Sequence, residues 1–213
     1  TMPAGTVFNT KVDNIDYQFV TVTDMTKASS GPYIAFNDIK IYEGTYVTTR
    51  YTVDYTSVDQ RFILPEDSAD TSTLTVEVQN SSTDTTSNTF TKATDISQLK
   101  ETSNVYYIQE VEAGKFEVYF GDGVVSKKLT DGNIVFLKYV VTNKADANGA
   151  STFTSSGAID TVTSVTVTTL NKAVGGSEAE ALTSIKLNAP LDYASQGRCV
   201  TAEDYKLFAK KLF

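Results

Sequence analysis

The chain has 213 residues and carries 18 Lys and Arg against 26 Asp and Glu, a net charge of −8. That length supplies one or two domains with room for a core, and the acidic balance excludes the basic footprint that nucleic acid or anionic lipid demands. With no histidine, and with Cys199 as the single cysteine, the chain holds no Ser-His-Asp or Cys-His nucleophile system, no zinc site built on His or on cysteines alone, and no internal disulfide.

Thr and Val are the most abundant residues, and together with 12 Tyr they suit pleated sheet. Four stretches follow one another. Residues 1–37 carry one alternating run, Ile15, Tyr17 and Phe19, read as a strand with a tail, and the loop at 28–32 ends it. Residues 38–100 form the first expected β domain. Val47, Thr49, Tyr51, Val53 and Tyr55 lie on one face, followed by strands at Arg61–Leu64 and around Leu74, Val76 and Val78, with a polar loop at 79–89. Residues 101–172 form the second, with strands at Val105–Glu112, Lys115–Phe120, Asn133–Thr142 and Thr161–Leu170, separated by Gly-containing turn pairs. The run Ile134–Val141 is apolar on both faces and is expected inside its sheet.

From 173 to 213 the pattern turns helical. Ser177-x-x-Glu180 and Thr201-x-x-Asp204 are capping boxes, each opening a helix. Pro190 should stop the first helix by Ala189. Tyr205, Phe208 and Leu212 recur at helical spacing as one apolar stripe, the expected interface. The chain ends at Phe213 in mid-helix and opens without an initiator Met or a signal-peptide pattern, so it is expected to be a fragment cut inside a domain. The fold class read from these patterns is mainly β with a helical C-terminal segment (α+β): antiparallel or sandwich-like sheets and two helices near the C-terminus.

Chemistry is sparse. Glu110, Glu112, Glu117 and Asp122 cluster near one hairpin, and paired carboxylates are what a glycosidase needs, but a solvated strand face is the better explanation of them. Gly121-Asp122-Gly123 reads as a turn, since no phosphate-loop pattern follows it. Gly175-Gly176 reads as a flexible joint into the first helix. No catalytic residue, metal ligand or cofactor site is expected.

Three segments taken together resemble a known family: 62–78 (FILPEDSADTSTLTVEV), 116–142 (FEVYFGDGVVSKKLTDGNIVFLKYVVT) and 175–212 (GGSEAEALTSIKLNAPLDYASQGRCVTAEDYKLFAKKL). In order and spacing they are similar to the phage baseplate J-like family of contractile injection machines, nearest to the wedge proteins of T-even-like phages. In the third segment the matching positions are Gly175, Gly176, Glu178, Glu180, Ala189, Pro190, Gln196, Arg198, Val200, Thr201, Asp204 and Tyr205. In the second they are Phe120 to Gly123, Gly132 and Tyr139. Lys186 replaces the usual Arg and Cys199 a small residue; residues 1–38 carry no family motif.

The resemblance implies a structural, non-enzymatic subunit of a tail baseplate wedge. Such subunits form the ring that joins wedges around the hub and take part in the rearrangement that triggers sheath contraction. It implies partners in a second copy of the chain (a homodimer) and in other wedge proteins, with hub and sheath met indirectly and neither nucleic acid nor membrane bound. It places the chain in the virion tail baseplate, and in the host cytoplasm during assembly. The alternative is a carbohydrate- or receptor-binding phage or adhesin β domain, which would show an exposed aromatic row.

Overall fold

The computed structural model describes residues 1–28, 31, 33–57, 60–195 and 198–212; for Glu203, Leu207, Lys210, Lys211 and Leu212 it describes the backbone alone. The chain divides into two units, Thr1–Gly176 and Ser177–Phe213.

The first unit holds two sheets. Strands β1 (Val7–Val12) and β2 (Ile15–Val20) pair in register from Val7↔Val20 to Val12↔Ile15. Asp13 and Asn14 join them with φ of 49° and 66°, the left-handed pair a two-residue hairpin turn needs, and Asp and Asn tolerate that region best among residues with a side chain. The single strand expected here is thus a hairpin: Ile15, Tyr17 and Phe19 mark only its second strand, and the turn at Asp13-Asn14 sets the first beside it. β3 (Tyr42–Glu43) adds to β2, and β11 (Thr154–Ser155) to β1. Phe8 and Phe19 face each other across the hairpin and bury with Met2, Ala147, Ala150 and Phe153. Phe19 meets Phe153 edge-on at 4.9 Å, the arrangement ring quadrupoles favour.

The second sheet has seven strands in the order β4-β10-β6-β7-β8-β9-β5. They are β4 (Thr45–Thr52), β5 (Phe62–Leu64), β6 (Ala69–Gln79), β7 (Ser87–Lys92), β8 (Val105–Glu110), β9 (Phe116–Phe120) and β10 (Ile134–Val141). β10 lies between β4 and β6, which explains apolar residues on both its faces. A bulge at Lys138/Val140 breaks the β6 ladder. There the Val140 amide donates to buried Thr73 Oγ1 at 3.0 Å, and that hydroxyl donates to the Asp70 carbonyl, so no main-chain donor is stranded. Leu64, Val76, Val118, Val135, Leu137 and Tyr139 are fully buried in the core. At one side of this core Tyr51–Phe62, Phe62–Phe120 and Phe90–Phe120 form a chain of edge-on contacts.

This architecture forms the mainly-β class read from the sequence, with its helices near the C-terminus, and corrects three expectations within it. Residues 38–100 and 101–172, expected as separate β domains, interleave their strands in one sheet, because β10 inserts between β4 and β6. One pair of that sheet is parallel: β7 lies beside β8, and residues 93–104 supply the dozen-residue connection a parallel pair requires. β7 itself begins inside the polar stretch read as a loop. Finally, 161–170 joins no named strand. Its β-branched alternation is present, with Val165, Val167 and Thr169 half-buried between exposed neighbours, but no ladder forms along it among the described residues.

In the second unit α1 spans Leu182–Ser195 and α2 spans Ala202–Leu212. α1 starts five residues after Ser177, and Pro190 lies within it rather than ending it. The Glu180 carboxylate accepts from Ser184 Oγ (2.5 Å) and Asn188 Nδ2 (3.2 Å). It therefore tethers the first two turns from outside instead of closing a box with Ser177. The proline preference that foretold a stop is a bias on the preceding residue, and helices can run through it at the loss of one hydrogen bond.

Candidate interaction surface

The carboxylates nearest to an acid–base pair are built into the sheet. Gln109 opposes Glu117 and Glu110 opposes Phe116 in the β8–β9 ladder, so Glu110 and Glu117 leave by opposite faces. Glu112 lies beyond the end of β8, in a short 3₁₀ turn. Glu117 accepts from Arg61 Nε (3.0 Å) and Nη2 (2.7 Å) and from Gln109 Nε2 (3.2 Å). Hydrogen bonding to Arg61 holds its carboxyl below the usual range, against the opposing effect of burial. Asp122, bonded to the Val124 amide at 2.9 Å, is lowered chiefly by that amide. A general acid needs a raised carboxyl; each carboxylate with a resolved shift among the described residues is lowered. Among the described residues no cluster of three or more Asp, Glu or Cys side chains is placed to hold a metal, and no helix is long and apolar enough to cross a membrane.

The Gly121-Asp122-Gly123 segment is a tight turn after β9. Gly123 has φ +91°, and its amide donates to the Ser126 carbonyl at 3.0 Å. Gly175 and Gly176 are not a loose joint: Asn148 grips Gly176 with Nδ2 to its carbonyl (2.7 Å) and Oδ1 from its amide (3.1 Å). Sequence reasoning missed Glu43. Its carboxylate accepts from Thr142 Oγ1 (2.7 Å) and from the Asn143 amide (2.8 Å) and side chain (2.7 Å), tying β3 of the small sheet to the end of β10. These partners are about a hundred residues apart, and no local pattern marks them.

Two surfaces remain. In the first unit a broad groove of about 1650 Å³ lies over the small sheet, with Phe8 and Phe19 in its lining and stretches 33–43 and 159–176 along it. In the second unit α1 and α2 pack on each other. α2 opens on a formed box: the Asp204 amide donates to Thr201 Oγ1 (3.3 Å) while Asp204 Oδ2 accepts from the Thr201 (2.8 Å) and Val200 (3.1 Å) amides. Of the stripe expected as an interface, Tyr205 is exposed and Phe208 half-buried; the Leu212 side chain lies outside the described residues. Gln196 of the sequence motif also lies outside them; Arg198 follows α1, its amide bonded to the Ser195 carbonyl. Leu182, Leu187, Tyr193 and Val200 are all more than half exposed. An exposed aromatic row, the mark of a sugar-binding sheet, is not formed among the described residues. Tyr51 and Tyr139 of the Tyr-rich strands point into the core, and exposed Tyr33, Tyr55, Tyr119, Tyr193 and Tyr205 come from five different segments.

Several carboxylates of this sheet framework, Glu43, Glu117 and Asp122 among them, accept from amides, hydroxyls or arginine, and large apolar side chains lie on the surface. Parts of the chain are similar to known proteins. Residues 47–150 match the family described as bacteriophage baseplate wedge protein gp6, third domain. The chain is also 32% identical over 137 residues to baseplate wedge protein gp6 of Enterobacteria phage T4, an alignment covering 53% of this chain and 20% of that protein. The chain thus spans about one fifth of the length of the relative it matches.

Proposed function

We propose that this chain is a structural part of a phage tail baseplate wedge. One observation carries the reading: the family match at 47–150 begins inside β4 and takes in β5 to β10, so the similarity follows the seven-stranded sheet as a structural unit. A shared sheet at this identity is a framework, and the lowered, engaged carboxylates suit a framework without catalysis.

The finer reading is that the wedge subunit joins its neighbours into a ring around the hub, and takes part in the change of ring shape that releases sheath contraction. Its partners are a second copy and other wedge proteins, and the α2 stripe of Tyr205, Phe208 and Leu212 is a contact surface for either. It works in the virion baseplate and is assembled in the host cytoplasm. Kinship with J-like proteins rests on 62–78, 116–142 and 175–212 together, and the last and most specific of them lies beyond the matched residues. The test is genetic and structural. Phage lacking this chain should accumulate tube and sheath proteins without complete baseplates, and electron microscopy of intact tails should show the seven-stranded sheet in the wedge. Complete baseplates that lack the chain would overturn the reading.

A further inference from the structure

Residues 163–169 make no main-chain hydrogen bond to any described residue, although the bridge at Ile159/Val162 before them and the Ala173–Ala150 pair after them do. The side chains alternate as on a strand, with Val165, Val167 and Thr169 half-buried and Ser164, Thr166 and Thr168 exposed. Val167 packs against the core of the small sheet, so the segment is held in place from one face. The described residues leave its main-chain donors and acceptors without a main-chain partner, and an unpaired extended edge is a template for pairing with a further chain.

We propose that 163–169 pairs antiparallel with the same segment of a second copy of this chain, across a two-fold axis at Thr166. This rests on the reading of the chain as an assembly subunit. Three features of the sequence select a second copy as the occupant. A net charge of −8 keeps copies apart elsewhere, whereas 161–171 contains no charged residue, so two copies meet here without like-charge contact. Side chains directly opposite in an antiparallel pair share a face; an axis at Thr166 sets Val165 against Val167 of the other copy and Thr163 against Thr169, which keeps each half-buried row on its own core side. The flanking charges are opposite: Asp160 precedes the segment and Lys172 follows it, and antiparallel pairing brings Lys172 of each copy to the end that carries Asp160 of the other. Asp160 already receives the Thr1 amine at 3.1 Å, so Lys172 is the partner to alter.

Sedimentation of the 213-residue chain up to about 300 µM tests this. The expected result is a reversible dimer, at least about tenfold weaker in Thr166→Pro or in Val165→Pro, since amides of neighbouring strand residues point to opposite edges and proline at the one facing the partner removes a ladder donor. Thermal melting should confirm that each proline variant stays folded. Lys172→Glu, a surface change that leaves the main chain intact, should weaken the dimer more at low salt than at high salt. A peptide of sequence 161–172 should compete with dimerisation. A chain that stays monomeric throughout, or a dimer indifferent to all three substitutions, overturns the proposal. A monomeric chain still found in baseplates removes the self-pairing and keeps the wedge role; a dimer from a chain that baseplates lack does the reverse.

Discussion

Ser126 stands where a β-carbon on Gly121 would have to be: that position is 2.0 Å from Ser126 Oγ and 2.5 Å from its carbonyl oxygen. Ser126 is fully buried, and its carbonyl takes the Gly123 amide, so it has nowhere to retreat. The two glycines of this turn are therefore needed for different reasons, Gly121 for contact and Gly123 for its φ of +91°.

Gly121→Ala should destabilise the first unit by about 1–3 kcal/mol, the range for inserting an atom into a packed site. Gly123→Ala should cost about 1 kcal/mol, from left-handed backbone strain alone. Asp122→Asn keeps an acceptor for the Val124 amide and should change little at neutral pH. Denaturant midpoints of the three variants check the order; an unchanged midpoint for Gly121→Ala would contradict the close approach.

The Arg61–Glu117 pair makes a pH prediction. Glu117 has its carboxyl lowered from an ordinary 4.5, first by the hydrogen bond from Arg61. A carboxyl lowered by folding contributes stability that is present above the unfolded value and lost as pH falls through the folded one. Wild type should therefore lose stability below about pH 4.5 more steeply than Glu117→Gln. The gap between them should be constant above pH 6 and narrow towards pH 2–3. Urea unfolding across that range measures it, and parallel curves would show that the pair is not linked to folding.

How much was legible in the sequence depended on how local the determining force was. The alternation of β4 and the two-sided apolarity of β10 are written in neighbouring residues, and both strands form close to the expected bounds. The capping box at Thr201 is equally local. What escaped was set at a distance. The interleaving of β10 between β4 and β6, the parallel β7–β8 pair and the Glu43 clasp join residues that no window of sequence brings together. The strand expected at 161–170 shows the converse: alternation reports a side-chain pattern, while a ladder needs a neighbour. Of the site residues, Gly121 and Gly123 were legible as a turn, but the close approach of Ser126 was not.

The two capping boxes read alike in sequence and differ in structure, which separates two substitutions. Thr201→Ala removes the acceptor of the Asp204 amide and should lower the local stability of α2 by about 1 kcal/mol. Ser177→Ala should leave both helices unchanged, because α1 begins at Leu182. Amide hydrogen exchange within Ala202–Leu212 reads the first effect, and exchange within Leu182–Ser195 the second. Faster exchange in α1 on Ser177→Ala would restore Ser177 as a cap.

Pro190 supplies the sharpest test of the second unit. It is the ninth of the fourteen residues of α1, so the carbonyl of Lys186 lacks its intrahelical donor and the ring crowds that turn. Alanine at this position restores the bond and removes the crowding, a change worth up to about 3 kcal/mol in a helix interior. With the helix already running to Ser195, Pro190→Ala should leave the helical circular-dichroism signal nearly constant while slowing amide exchange at 191–195, since the same turns are present but more stable. Where the helix stops at Ala189, as the sequence alone suggests, the substitution would instead lengthen it, and the signal would rise by more than a turn's worth of residues. A rise of that size would contradict the placing of Pro190 within α1. Ser195 gives an internal check: its hydroxyl donates to the Asp192 carbonyl at 2.8 Å, a contact of a continuing helical turn, so Ser195→Ala should alter exchange at 192–195 only if that turn is formed before Pro190 is replaced.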